Sequence, residues 1–434
     1  MLKLDKNTTI PTVEQTLNTL RMHNAMMPTY VDYDMLLMSI FKLNTLIRQN
    51  DNALFSELGL LSSASRVHAI KQYILERRLE GYFGKTGKGE LSLDKASIDA
   101  ALQSNISEEA KMLLKFYRAA STYEKVRGQL IPFLQNPMSD KLSFDGHRML
   151  EVRPTWSAQN TGRVAMSKPA IQNMSRAVQS LITVPKGYKL IHCDSGQVEP
   201  RIIYSTFLCD KQIQALIRLY DDAYYGILHY VTMPEQYILD GRTEFEKREI
   251  TDELKDRRSR IKTYGNAVMY GSTSNKENDP VKEAMIKRIG NHPSRLQKLE
   301  EIKKDIAMGR TVFRTFFGTP IDAGLSSKLA GGTYNQQEEL LKLGINNPIQ
   351  GTAADLMRYS VYQANKILTN VKDSYIVNYV HDAGTFCVAE DEYDEVGELL
   401  MGIVGYDVEG WLPIHADGEV REHITENVFT KFPY

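Results

Sequence analysis

Two aspartates stand where this chain can do metal-assisted chemistry. Asp194 ends YKLIHCD (188–194), a largely apolar run that reads as a strand. Asp382 lies in DSYIVNYVHDAGTFCVAE (373–390), where VNYV and TFCV read as two strands around a tight turn at His381–Gly384. The two acids are 188 positions apart (382 − 194). If their strands are neighbours in one sheet, the carboxylates can share divalent ions, and hard oxygen ligands of this kind suit Mg²⁺. Two ions about 3.5–4 Å apart stabilise the attacking and leaving oxygens of an in-line phosphoryl transfer. Two aspartates alone are weak evidence, because most acids in a chain with 54 of them are structural or solvated.

A basic helix supplies the next signal. EKREITDELKDRRSRIKTYGNAVMYG (246–271) holds the densest basic cluster of the chain. Its Arg258, Lys262, Asn266 and Tyr270 recur every four residues and form one slowly winding stripe about 18 Å long. That length matches an extended nucleoside triphosphate, with cations for the phosphates at one end and an aromatic near the base at the other. The ordinary alternative is a solvated helix face, and spacing alone favours it.

The elements that must position these residues follow from periodicity. Segments 32–49, 65–83 and 108–134 carry apolar residues at helical spacing, and GKTGKGELS (84–92) breaks them with an exposed loop. Strand-like runs appear at LEVRPTW (150–156) and 188–194, helices return over 208–345, and strands recur near 373–390 and in the tail. β elements in widely separated places, with helices inserted between them, give an α+β chain whose sheet is assembled from distant segments. Its 434 residues allow about three domains and a large core. Net charge is −1, so a polyanionic partner would need locally clustered basic residues. Three scattered cysteines and an N-terminus without an apolar core argue for a reducing, cytoplasmic setting and against secretion. No apolar run reaches the roughly 18 residues of a membrane helix.

Six blocks, in order, resemble DNA polymerases of family A from about residue 113 onward. They are LLKFYRAASTYEKVRGQLIPFL (113–134), TGRVAMSKPAIQNMSR (161–176), CDSGQVEPR (193–201), RSRIKTYGNAVMYG (258–271), NNPIQGTAADLM (346–357) and YVHDAG (379–384). The third, fourth and sixth are similar to that family's motifs A, B and C. The resemblance implies a right-hand fold: palm entry and thumb in 1–140, palm with motif A in 141–207, fingers with motif B in 208–345, and palm with motif C in 346–434. From the length before the first block, no 3′–5′ exonuclease domain is expected in this chain. It implies a monomer acting on primed DNA and dNTPs with two Mg²⁺ ions, or Mn²⁺ in their place.

Site roles follow from the same resemblance. Asp194, Asp382 and the Ser195 carbonyl would hold the metals, and Lys262 would give a proton to the leaving pyrophosphate. Arg258, Lys262, Asn266, Tyr270, Gln197, Glu199 and Tyr224 would meet the nucleotide, with Glu199 excluding a 2′-hydroxyl. Arg163, Gln172, Asn173, Arg201, Lys342, Asn346, Gln350 and His381 would meet DNA. Arg163 and Gln350 would test minor-groove acceptors, which every base pair presents.

The sequence departs from the pattern at Ala383, where motif C usually has Glu, at Asn266, where an aromatic is usual, and at Ser195 and Gly196. Drift of this kind resembles phage- or mobile-element-encoded members, which would place the chain in a host cytoplasm. A single-subunit RNA polymerase shares several of these features, but Glu199, the TGR of Arg163 and QGTAAD favour the DNA enzyme. A catalytically lost DNA-binding remnant has no reason to keep Asp194, Asp382, Arg258, Lys262 and Tyr270 together.

Overall fold

A computed structural model describes residues 1–60, 65–86, 89–270, 275, 278–325, 336–371 and 373–421. The chain divides into two units. One comprises Met1–Pro28, Arg153–Gln172 and Gly187–Arg421; the other is built from Thr29–Val152 and Asn173–Lys186. This partition is coarser than the four segments expected from the motifs, because the helices of 208–345 cluster with the sheet that carries both aspartates.

In the Thr29–Val152 unit, helix Tyr33–Glu57 packs along helix Glu108–Leu130. Each helix begins where an oxygen side chain takes an orphan N–H: Asp32 from Met35, Ser107 from Ala110. Leu54, Ile70, Ile74, Ile98, Leu113 and Leu114 form a buried core at helical spacing. A four-stranded antiparallel sheet of Thr29–Asp32, Met138–Leu142, Arg148–Val152 and Ile182–Thr183 completes the unit. The run expected as one strand over 150–156 splits here. Pro154 cannot donate to a ladder, so Arg148–Val152 ends before it and Thr155–Ala158 starts a separate hairpin in the other unit.

The other unit is centred on a second antiparallel sheet. Its order is Tyr375–Val380, Ala383–Ala389, Tyr188–Ser195, Ala416–Arg421, so the expected assembly from distant segments is what forms. The turn is tighter than expected: Ala383 and Gly384 already belong to the second strand, leaving His381 and Asp382 to make it. Helix Tyr393–Ile403 packs on one face of the sheet. Helix Gln336–Leu368 is 33 residues long and contains Pro348, whose carbonyl accepts from the Thr352 hydroxyl at 2.6 Å. Helices Lys211–Tyr220, Ala223–Thr232, Asp252–Met269 and Pro293–Ala307 share a large apolar core that includes Ile213, Leu216, Ile227, Ile261 and Val268. Helix Asp252–Met269 runs unbroken through Gly265. Among the described residues no helix is long and apolar enough to cross a membrane.

Candidate active site

Strand Tyr188–Ser195 alternates. Cys193 and Ser195 face the interior, while Asp194 points to solvent. Ala383 is the direct cross-strand partner of Asp194, which places Asp382 immediately beside it. The Ser195 N–H donates to the Asp382 carbonyl at 3.1 Å and locks this end of the hairpin to the motif A strand. The turn is held from outside as well. His381 adopts a left-handed backbone (φ 54°), and the Gln172 amide donates to the Tyr379 carbonyl at 2.6 Å while its oxygen accepts from the Met166 N–H.

Burial and the nearby Asp194 charge push the Asp382 carboxyl up to about 6. Burial also raises Asp194. Its Ser195 backbone hydrogen bond and Lys262 act against that, and Asp417 adds to it. Two hard-oxygen donors that strain each other's charge form a donor set suited to a divalent cation, so the residues fit the Mg²⁺ expected from sequence.

The basic helix lies on the same site. Lys262 is exposed and acts electrostatically on Asp194. Arg258 is engaged by a residue that the sequence reading passed over: its Nη2 and Nε donate to the Asp222 carboxylate at 2.6 and 3.1 Å. Asp222 also caps helix Ala223–Thr232 and accepts from the Gln197 amide at 2.7 Å, while the Gln197 oxygen takes the Ala223 N–H. Gln197 itself is in a left-handed conformation (φ 57°). The Arg258 guanidinium lies over the rings of Tyr224 and Tyr225, at 5.3 and 5.1 Å. Burial opposes ionisation of Asp222, yet Arg258, the Tyr225 N–H and Gln197 hold it below the usual carboxylate range. An acid directly before an apolar helix was the available signal for this residue.

A second group gathers around Glu199. Arg163 Nη2 donates to Glu199 at 2.5 Å, with both side chains about one-fifth exposed. His381 and Asp382 feel both charges, as does Tyr270, whose hydroxyl is buried and finds no partner among the described residues. Burial and the Arg163 charge lower the His381 imidazole, and burial raises the Tyr270 phenol. The placement of Arg163 traces back to Gly162. Its φ is +78°, a Cβ there would collide with the Arg358 guanidinium, and Arg358 Nη1 donates to the Gly162 carbonyl at 3.0 Å.

The remaining expected residues distribute unevenly. Asn346 and Gln350 lie on helix Gln336–Leu368, partly exposed, with the Asn346 side-chain oxygen buried and without a partner among the described residues. Lys342, on the same helix, sits 3.7 Å from Glu339. Asn173 is exposed but belongs to the other unit. Arg201, expected to meet DNA, is buried. It is 3% exposed and donates to the Pro413 carbonyl at 2.5 Å and to the carbonyl and carboxylate of Asp221, bracing the segment that leads into Ala416–Arg421. Tyr264 turns away from the Lys262 side, its hydroxyl donating to Asp279 at 3.0 Å. The Asn266 side chain and Gly271 lie outside the described residues.

Another acid–imidazole group, Asp32, Asp145 and His147, lies in the Thr29–Val152 unit. One Asp32 oxygen caps Met35 N at 2.8 Å and the other meets His147 Nδ1 at 2.7 Å, so this group is accounted for as a helix cap and ion pair.

Comparison with known proteins gives a concordant result. The chain is 24% identical over 342 residues to DNA polymerase I of Pseudomonas aeruginosa, covering 75% of this chain and 34% of that protein. It is 23% identical over 374 residues to DNA polymerase I of Aquifex aeolicus, covering 82% and 57%. It thus spans between about a third and just over half the length of these curated relatives. The fold resembles the POL domain of Pol1 from M. smegmatis, solved in complex with DNA primer-template and dNTP, with a TM-score of 0.72, 20% identity and coverage of 95% of this chain and 69% of that one. The model for DNA polymerase family A matches residues 61–422, most of the chain, and with the two strand-borne aspartates facing a basic helix this makes the protein a member of DNA polymerase family A.

Proposed function

We propose that the chain extends a primer 3′ end with dNTPs on a DNA template by two-metal-ion nucleotidyl transfer. One observation carries the reading. Strands 188 positions apart set Asp194 and Asp382 side by side, pinned through Ser195 N–H and the Asp382 carbonyl, with Lys262 of the basic helix acting on the Asp194 carboxylate. Primer-template and dNTP in the M. smegmatis neighbour support the same partners here.

Asp194, Asp382 and the Ser195 carbonyl would hold the divalent ions, which when bound supply Lewis-acid stabilisation of the charge on the transferring phosphoryl group. The chain's own residues do the rest. Lys262, which acts on Asp194, can hold the proton that passes to the leaving pyrophosphate. Arg258, fixed by Asp222 and Gln197 and backed by two tyrosine rings, presents a preorganised guanidinium to the phosphates. Glu199 and Tyr270 close the side where a ribose 2′-hydroxyl would sit. Arg163 and Gln350 test minor-groove acceptors at the primer end, a check blind to sequence. Synthesis is proposed to proceed without proofreading.

Extension of a labelled primer on a DNA template with Mg²⁺ tests the proposal. Elongation with dNTPs in strong preference to NTPs is expected, with no ladder of shortened primers. Failure to extend from clean, folded protein would remove the reading, and equal use of NTPs would shift it to an RNA polymerase.

A further inference from the structure

The strand on the far side of Asp194 brings a third carboxylate to the same edge of the sheet. Asp417 is the direct antiparallel partner of Asp194, as Ala383 is on the opposite side, so the three residues form one cross-strand row: Ala383, Asp194, Asp417. Direct partners in an antiparallel pair project from the same face, with Cβ atoms about 4.5–5.5 Å apart. The facing of this row is fixed independently by Gly418. A Cβ at 418 would come 2.6 Å from the Met401 side chain and 3.6 Å from Cys193 Sγ, on the face covered by helix Tyr393–Ile403. Gly418 therefore points inward with Cys193, and Asp417 points outward with Asp194; both acids are exposed.

Register at this edge is held tightly. Gly196 N–H donates to the His415 carbonyl at 2.8 Å, Ser195 hydroxyl donates to the Val404 carbonyl at 2.6 Å, and buried Arg201 holds the Pro413 carbonyl. A one-residue slip would drive Asp417 into the buried face and Gly418 out, so these bonds have a direct consequence for where the charge sits. No ion pair or hydrogen bond occupies the Asp417 side chain among the described residues.

We infer that Asp417 is a third acidic group of the divalent-cation site, strengthening cation binding from the side of Asp194 opposite Ala383. The inference rests on the two-aspartate metal site proposed above. It makes the C-terminal strand part of the site and gives the sheet a carboxylate flanking Asp194 even though position 383 carries none. As a group positioned beside the ligands, its removal should weaken cation affinity by about tenfold, within the range found for residues that support metal ligands from just outside the coordination sphere.

The test is Mn²⁺ binding to the full chain, without DNA or nucleotide, followed by the EPR signal of free Mn²⁺. Asp417→Asn and Asp417→Ser should each weaken binding about tenfold while thermal melting of the metal-free protein stays near wild type. Ala383→Glu placed in the Asp417→Asn background should recover much of the loss, because it returns a carboxylate to the other side of Asp194. In primer extension, the half-saturating Mg²⁺ should rise in the Asp417 variants more than the rate at saturating Mg²⁺ falls. If both variants bind Mn²⁺ like wild type while Asp194→Asn does not, the inference is overturned and the two-aspartate site stands. If Asp194→Asn also binds normally, both fall. A loss seen with only one of the two Asp417 variants would likewise overturn a charge-based role.

Discussion

Replacing Arg358 by Met should destabilise the protein through a chain of contacts that ends at the candidate active site. Arg358 and Asp355 are 2% and 0% exposed and form an ion pair within helix Gln336–Leu368. The remaining Arg358 donors reach the Gly162 carbonyl and the Pro11 carbonyl, each at 3.0 Å, and Asp355 also accepts from the Thr315 hydroxyl at 2.5 Å. Burial raises the Asp355 carboxyl and lowers the Arg358 guanidinium, so the surroundings oppose the charge of each group. Stranding one partner of such a pair costs about 3–5 kcal/mol. The two carbonyls left without a donor add about 1–3 kcal/mol each where water cannot reach them. Arg358→Met should therefore cost at least about 3 kcal/mol.

Desolvation of the two groups outweighs their attraction, which makes a neutral pair tolerable. Asp355→Asn combined with Arg358→Met should be less damaging than the sum of the single changes, by about 2–3 kcal/mol. The assay is urea denaturation followed by circular dichroism for the four proteins of the cycle, with dNTP incorporation as the functional readout, because Arg163 follows Gly162 directly. Gly162→Ala should mimic the damage from the other side of the contact. A cost below about 1 kcal/mol for Arg358→Met, or strict additivity in the double variant, would refute the reasoning.

Asp194→Ala and Asp382→Ala should each abolish extension while DNA binding, measured by fluorescence anisotropy, stays largely intact; near-normal turnover in either would dissolve the metal assignment. Glu199→Ala should raise ribonucleotide incorporation in single-turnover assays, since it removes the side chain held beside Arg163, and unchanged selectivity would take Glu199 out of that role. His147 is raised above its ordinary 6.5, chiefly by its hydrogen bond to Asp32, with burial acting the other way. The stabilisation it gives is thus complete below 6.5 and fades as pH rises through the raised value, so melting of wild type should fall there relative to His147→Gln, and parallel pH profiles would contradict this. Asn266→Tyr should lower the KM for dNTPs, because a base stacked on an aromatic gains about 1–3 kcal/mol; Tyr264→Phe should leave KM unchanged, as the Tyr264 hydroxyl is engaged with Asp279.

The parts of this protein that were legible in its sequence are those set by local periodicity. The largely apolar run 188–193 had to be a strand carrying Asp194 near its end, and the strand runs one residue further, to Ser195. The β-rich flanks of His381 and Asp382 had to make a hairpin, and the helical spacing of Arg258 and Lys262 had to put both on one stripe. The run 150–156 was expected as one strand, although the missing N–H of Pro154 was the local signal for the break that the structure has there. Tertiary structure alone decided the pairings whose energy comes from partners far along the chain. Which residues stand opposite Asp194 depends on the register of strands that place Ala383 and Asp417, 189 and 223 positions away, beside it, and a shift of one residue would exchange Asp417 for Gly418. Arg201 was expected to meet DNA, yet it is buried and its two Nη groups donate to carbonyls and an acid that the fold brings to it. Asp222 looked like one acid among 54, and becomes the anchor of Arg258 only when helices Ala223–Thr232 and Asp252–Met269 pack together. A charged side chain's role is fixed by what meets it across space, and residue type and spacing along a single element cannot specify that neighbour.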